Sequence, residues 1–387
     1  MSIREFLSGK SILVTGATGF LGKPLLEKIL REVPDVEQLY LLIRPKTRPS
    51  GEIITAGDRM EEEVIGSDVF NRLRDELDDF DSFIHSKLTA VPGDISAEGL
   101  DMEPDEYDRL SREADIIINS AAVVVFDERL DYAVQLNALG PKRLLDFAKR
   151  SETPALFIHV STAYVNGQRV GLAPEAIFEP NQTIAEELNN GPSPKLDIDS
   201  EVARALERGR QVEDEARQPG MFEQFHRAAL KELGPGYRPG SKKVKSQTEA
   251  ERNKFIRSIL VREGMERSRS FGWNDTYTFT KAIGEQFLVR ERGDIPVAII
   301  RPSIIESAYA EPYPGWLDGL RMADPLIAAY GKGRLQDFPG KPDSILDLVP
   351  VDYVVNALLA AIPYTASQGG IQLFQVATGE FNPMRLQ

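Results

Sequence analysis

A doubly wound, mostly parallel α/β sheet of about seven strands, carrying a smaller, mainly helical substrate-binding region, is the fold class this sequence predicts. Three observations predict it. Short apolar runs bounded by turn residues alternate with stretches of helical period. The first such run empties into a glycine-rich turn that opens a helix. A long stretch of opposed charge then interrupts the alternation before the last core elements.

The chain opens with the apolar strand Ser11-Ile12-Leu13-Val14-Thr15, a turn through Gly16, Thr18, Gly19, Phe20, Leu21 and Gly22, and a helix from Lys23 to Leu30. Glycines there permit a sharp turn, close approach of a pyrophosphate and tight packing of helix on strand. The helix N-terminus offers free N–H groups to the anion. The spacing is Gly-x-x-Gly-x-x-Gly, not the Gly-x-Gly-x-x-Gly of common dehydrogenases.

A second strand, Gln38–Ile43, ends in Arg44-Pro45-Lys46-Thr47-Arg48, where an NAD-selective site usually places an acidic residue. A guanidinium pairs bidentately with a 2′-phosphate, so the basic stretch predicts NADPH with Arg44 as its leading ligand. The alternative is a solvated charge closing the strand. A third strand near Lys87–Pro92 leads to Gly93, Asp94 and Ile95, where a carboxylate can accept from the adenine amino group. A fourth, Ala114–Asn119, ends in Ser120, Ala121 and Ala122, small enough for a dinucleotide to lie across the carboxyl edge of the sheet. Asn137, on the next helix, is read either as steadying the cofactor-facing backbone or as a buried structural amide. The fifth strand, Ala155–Val160, ends in Ser161-Thr162-Ala163-Tyr164, which places hydroxyls where a substrate carbonyl could receive them.

Tyr277 and Lys281 stand four apart in a helical stretch and so share one face, which puts an ammonium near a phenol. A cation there is expected to lower the phenol's pKa and tune it as a proton donor to a carbonyl oxygen receiving hydride. Sixth and seventh strands follow at Asp294–Ile300 and Ile371–Val376, and Asp343–Asp352 reads as opening a helix. Between them, the Gly- and Pro-rich stretch from Glu311 to Pro342 reads as substrate-side loops. Trp316, Met322, Leu326 and Tyr330 recur there at roughly helical spacing; core packing is preferred over the lining of an acyl tunnel.

These residues resemble the extended short-chain dehydrogenases, and within them the fatty acyl-CoA reductases, or male-sterility-type NAD-binding proteins. The resemblance is carried by the Gly16–Gly22 loop, Val160-Ser-Thr-Ala-Tyr-Val-Asn-Gly167, Tyr277-Thr-Phe-Thr-Lys281 and Ile300-Arg-Pro-Ser-Ile-Ile305. The last run, with Glu306-Ser-Ala and Pro314-Gly-Trp316, looks like bacterial alcohol-forming members. The resemblance implies a Rossmann core and NADPH-dependent reduction of long-chain acyl-CoA to aldehyde and onward to alcohol. It further implies Thr162 as the hydroxyl donor with Ser161 in reserve, Tyr277 as acid, and Lys281 as its electrostatic partner. Pro302, Ser303 and Ile304 would line the nicotinamide. Family members continue into a C-terminal "sterile" domain near where this chain stops at Asn382-Pro383, so that domain is expected to be absent.

The organisation expected is an NADP-binding core over 1–170, a helical lid over 171–270, and the catalytic helix with the remaining strands over 271–387. From Gly171 to His226 there are 5 basic against 12 acidic residues, and from Arg227 to Ser270 there are 12 against 5. Those halves either pair with each other or are solvated, or Lys242, Lys243 and Lys245 receive coenzyme A phosphates.

With 387 residues, 42% of them hydrophobic, the chain can bury a large core. It has no cysteine, which excludes disulfides, thiolate nucleophiles and thiolate metal sites, and its three scattered histidines argue against a metal. A formal charge of −14 disfavours nucleic acid. No signal segment and no run near the ~18 apolar residues of a membrane span is found, so a cytoplasmic enzyme is expected, with peripheral membrane contact compatible and the oligomeric state open. Competing readings are a thioester reductase acting on carrier-protein-bound chains, a nucleotide-sugar epimerase or dehydratase, and a non-catalytic dinucleotide sensor.

Overall fold

The computed structural model describes residues 2–48, 50–151, 155–189, 191, 193–320, 324–336, 341 and 343–385. Seven parallel strands form the central sheet: β1 (Ser11–Thr15), β2 (Gln38–Ile43), β3 (Leu88–Pro92), β4 (Ile116–Asn119), β5 (Leu156–Val160), β6 (Val297–Pro302) and β7 (Ile371–Val376). Their order is β3-β2-β1-β4-β5-β6-β7, so the winding reverses between β1 and β4. A crevice opens at the carboxyl ends of the strands at such a reversal, and that is where ligands bind in open α/β sheets.

The inner strands β4, β5 and β6 are buried on both faces, which is why these runs are apolar almost throughout, while the edge strands β3 and β7 are only partly covered. Alternate residues split between two cores. Ile12, Val14, Ile116, Ile118, Ile158 and Ile300 meet one layer of helices, while Leu13, Ile117, Phe157, Val297 and Ile299 meet the other. The first layer contains α1 (Gly22–Glu32) and the long helix Val351–Gln368; the second contains α2 (Pro104–Glu113) and α3 (Leu139–Ala148).

The region expected to be a lid is helical: α4 (Ile198–Glu215), α5 (Pro219–Leu233) and α6 (Lys242–Ser270). Its base joins α7 (Thr276–Glu291) in a third core of Val202, Phe271, Trp273, Phe279 and Ile283. Its outer part has a small core of its own around Val212, Phe225, Ile256 and Leu260. At 29 residues α6 is roughly 43 Å long, at 1.5 Å per residue. Arg267 of the basic half grips the buried Glu201 of the acidic half at 2.8 Å through two nitrogens, whereas Arg208 and Glu263, at 2.8 and 3.0 Å, pair in the opposite sense. Lys242, Lys243 and Lys245 stand exposed in the first turn of α6, where no acidic residue balances them.

Two expectations are corrected. The helix read from Asp343 begins later, as α8 (Val351–Gln368), with Pro350 as its N-cap. The residues before it are extended instead, with Leu348–Pro350 pairing in parallel with Ile304–Glu306. Trp316 is a core residue at 1% exposure, stacked on Phe20, but Leu326 and Tyr330 are exposed on the short helix Asp324–Gly331. Neither belongs to the core. Met322 and Pro342 lie outside the described residues.

Candidate active site

The glycine turn is shaped by steric necessity. Gly16 has φ +75°, and a Cβ there would lie 2.6 Å from Ser120 Oγ. A Cβ on Gly22 would lie 2.3 Å from the Gly16 carbonyl oxygen, so helix and turn are in contact. Gly19 would meet only that same oxygen, at 3.1 Å, which leaves its outer face open. Helix α1 starts with no side-chain cap and no acidic residue in its first turn; Lys23 N donates to Gly19 O at 3.3 Å and Pro24 has no N–H, so of its first three residues Gly22 is the one that can offer an N–H to an anion.

All of the residues expected to serve catalysis or the dinucleotide except Asn137 line one cavity of about 970 Å³, and Lys242, Lys243 and Lys245 do not line it. The glycine loop, with Thr18, Phe20 and Leu21, forms its floor; Ser120, Ala121 and Ala122 form the wall beyond β4. Pro302, Ser303 and Ile304 close the side beyond β6. Asn137 stays outside it. Its Oδ1 accepts from Val123 N at 3.0 Å, and its Nδ2 donates to Val123 O and to Thr280 Oγ1, both at 3.1 Å. It fastens the segment after β4 to α7 and does not itself line the cavity.

At the β2 end Arg44, half exposed, donates to Asp94 Oδ2 at 3.3 Å. Asp94 Oδ1 accepts from Ser96 N and Oγ at 2.8 and 2.7 Å, so that carboxylate also holds its own turn. Beside it stands a residue the sequence reading missed. Arg59 is buried, donates to Arg44 O at 2.6 Å and to Thr18 Oγ1 at 3.3 Å, and forks onto Glu63 at 2.7 Å through two nitrogens. The Arg59 bond, helped by Lys46, holds the Glu63 carboxyl down at about 2. The only sequence signal was the capping box Thr55-Ala-Gly-Asp58 just before it, which marks a helix start but says nothing of what the helix faces.

At the other end, Asp275 caps α7 by accepting from Thr278 N at 2.8 Å. Phe279, Ile283 and Phe287 pack that helix against its neighbours, which turns Tyr277 and Lys281 toward the cavity. Thr162 and the Tyr277 phenol face the same cavity, close enough for the hydroxyl to act on the phenol's pKa, and Phe126 meets the same ring edge-on at 5.9 Å. Ser161 does not share this contact: its Oγ is buried without a partner among the described residues, as is Ser303 Oγ. Lys281 donates from Nζ to Val160 O at 2.6 Å.

The electrostatics differ from the expectation in one respect. Burial pushes the Tyr277 phenol above its ordinary value, against the pull of the nearby Thr162 hydroxyl and with the Asp275 carboxylate adding to the rise. The Lys281 ammonium is spent on a carbonyl and does not pull the phenol down. Burial also lowers Lys281 to about 8, against the pull of Glu285.

An NAD-binding family described as "Male sterility protein" matches residues 14–358, which spans both ends of this cavity. The chain belongs to that family. Its cofactor is therefore a nicotinamide dinucleotide, and the site fits one: the turn has no room for side chains at Gly16 and Gly22, Gly19 leaves its outer face open, and the hydroxyls of Ser161 and Ser303 have no partner among the described residues. Among relatives, the chain is 40% identical to "Fatty acyl-CoA reductase 2, chloroplastic" of Arabidopsis thaliana, over 99% of this chain and 56% of the relative. It is 39% identical to the "Alcohol-forming fatty acyl-CoA reductase" of Simmondsia chinensis, over 100% and 70%, and 31% identical to "Fatty acyl-CoA reductase 2" of Homo sapiens, over 99% and 60%. The chain thus spans between about half and 70% of the curated relatives it matches. The fold is shared with the terminal R domain of the myxalamid biosynthetic pathway, at TM-score 0.56 and 20% identity over 98% of this chain and 68% of that one. It is shared also with the reductase domain of a non-ribosomal peptide synthetase from Mycobacterium tuberculosis, at 0.54 and 21% over 95% and 67%. Among the described residues no helix is long and apolar enough to cross a membrane.

Proposed function

We propose that this male-sterility-family chain reduces long-chain acyl-CoA thioesters with NADPH, first to the aldehyde and then to the primary alcohol. The observation that carries the reading is the hydroxyl pair Thr162–Tyr277, with Lys281 one turn on, in the same cavity as a glycine cradle. Arg44, Arg59 and Lys46 cluster where a 2′-phosphate would sit, and that cluster favours NADPH over NADH. When bound, the nicotinamide supplies hydride.

Tyr277 and Thr162 donate hydrogen bonds to the oxygen of the carbonyl being reduced, where negative charge develops. A buried phenol with a raised pKa keeps its proton until that oxygen needs it. Collapse of the resulting hemithioacetal expels coenzyme A as thiol and leaves the aldehyde, which the same two hydroxyls can hold for a second reduction. The chain has no cysteine, so no thioester acyl-enzyme forms on it, and on this reading hydride adds to the substrate carbonyl directly.

The same reading makes 171–270 the lid of this site, against the 1–170 core and the 271–387 segment, with Ser161 and Ser303 toward the cofactor. It places the reaction in the cytoplasm, which cell fractionation checks. The experiment is to incubate the protein with palmitoyl-CoA and NADPH, count thiol released against NADPH oxidised, and identify the extracted product. Two NADPH per thiol with hexadecanol supports the reading. One per thiol with hexadecanal removes its second step, and activity only on carrier-protein-bound chains removes coenzyme A.

A further inference from the structure

His159 sits at the fourth position of β5, completely buried in a strand whose other residues are all apolar. A polar ring there costs free energy unless both nitrogens are satisfied. Its Nδ1 lies 3.1 Å from Asn119 Nδ2 on β4, and its Nε2 lies 3.5 Å from Lys281 Nζ. Asn119 is buried as well, and its Oδ1 accepts from Thr15 Oγ1 on β1 at 2.8 Å. Three adjacent strands thus carry one polar residue each in a line that ends on the lysine.

The direction of that line follows from counting protons. Thr15 Oγ1 already accepts the Ala121 N–H at 3.2 Å, and among the described contacts its own hydrogen has no acceptor except Asn119. The Asn119 oxygen therefore faces Thr15 and its amide N–H faces His159. Nδ1 is then the acceptor, the imidazole proton sits on Nε2, and Nε2–H points at Lys281. An ammonium has only hydrogens to present there, whereas a neutral amine has a lone pair.

We propose that His159 is a positioning residue for Lys281: through Asn119 and Thr15 it presents an N–H to the lysine nitrogen, favouring the neutral amine and making Lys281 a proton carrier in place of a fixed cation. The inference rests on the reading that Lys281 serves the Tyr277 chemistry. The other groups around Lys281 do not remove the effect. Glu285, one turn on, favours the ammonium but is engaged by Arg301 of β6 at 2.6 and 3.0 Å. Tyr277, one turn back, is turned to Thr162, and the Val160 carbonyl accepts from either form of the lysine. Burial on every side acts in the same direction as the histidine, lowering Lys281 to about 8 and holding His159 neutral.

The test needs no acyl substrate, so it fails independently of the proposed reaction. Nitrogen-15 NMR of selectively labelled histidine in the intact wild-type protein, with His159 told apart from His85 and His226 by the His159→Gln variant, reads the tautomer. The proton is expected on Nε2; a proton on Nδ1 would overturn the proposal. Carbon-13 lysine titration, with the Lys281 signal assigned by its loss in Lys281→Met, then reads the consequence. In His159→Gln the amide oxygen can accept from the ammonium, and in Asn119→Asp the carboxylate pulls the imidazole proton to Nδ1 and turns Nε2 into an acceptor. Each variant is expected to raise the proton affinity of Lys281 at least tenfold in that titration. A folded variant of either kind with the wild-type midpoint would refute it.

Discussion

Glu285→Gln tests how the catalytic helix is anchored. Arg301 and Glu285 are 0% and 1% exposed, and the pair joins α7 to β6 through bonds of 3.0, 3.2 and 2.6 Å. The guanidinium also donates to Ala176 O at 3.1 Å and lies 4.9 Å over the Phe178 ring, so it ties in the segment leading to the lid. Removing one partner leaves a buried charge uncompensated, which costs about 3–5 kcal/mol. Replacing both with leucine removes the stranded charge and is expected to cost less than the single change. The assay is urea unfolding followed by the fluorescence of the two tryptophans, comparing midpoints at constant slope. Because Tyr277 lies two turns before Glu285 and Pro302 directly follows Arg301, the single variant should also lose kcat more than nucleotide affinity. A loss below ~1 kcal/mol, or a double variant less stable than the single one, would refute the argument.

Three further outcomes follow from the geometry. Gly22→Ala drives a Cβ to 2.3 Å from Gly16 O and 2.9 Å from Ala17 Cα, so NADPH affinity should fall at least ~10-fold by fluorescence titration. Arg44→Ala and Arg59→Ala should each raise the Kd for NADPH relative to NADH by roughly 10- to 100-fold, the worth of a charge-assisted hydrogen bond; an unchanged ratio in both moves selectivity to Lys46. Lys281 has its folded-state pKa lowered from 10.5 to about 8, so between those values the unfolded chain binds more protons and stability should rise with pH. Lys281→Met should abolish that rise, and denaturation midpoints at pH 8 and pH 10 measure it.

The sheet was legible because a parallel strand buried on both faces reads as an unbroken apolar run, as in Ile116-Ile117-Ile118. The glycine turn and the Tyr277/Lys281 spacing were legible because each is a local steric or periodic requirement. What escaped the sequence depends on contacts distant along the chain. Nothing near Arg59 says that it folds back onto the backbone of Arg44. His159 passed as a strand residue because its partners come from two other elements. Helical spacing at Trp316, Leu326 and Tyr330 cannot say which of them meets a neighbour, and only Trp316 does so in the core. The extended residues before α8 read as helix because Ile345, Leu346 and Val349 suit either structure; pairing with Ile304–Glu306 decides it for Leu348–Pro350. The pKa of Tyr277 went up where the helix face suggested down, because burial penalises the phenolate, and the Lys281 nitrogen donates to Val160 O.

The most direct measurement is turnover of palmitoyl-CoA by Tyr277→Phe, run beside its NADPH affinity. On the proposed reading Tyr277 is the proton donor while the glycine turn and the arginines hold the dinucleotide, so thiol release should fall at least ~100-fold with the NADPH Kd unchanged. Thiol release near the wild-type rate would contradict the assignment of Tyr277 to the chemistry.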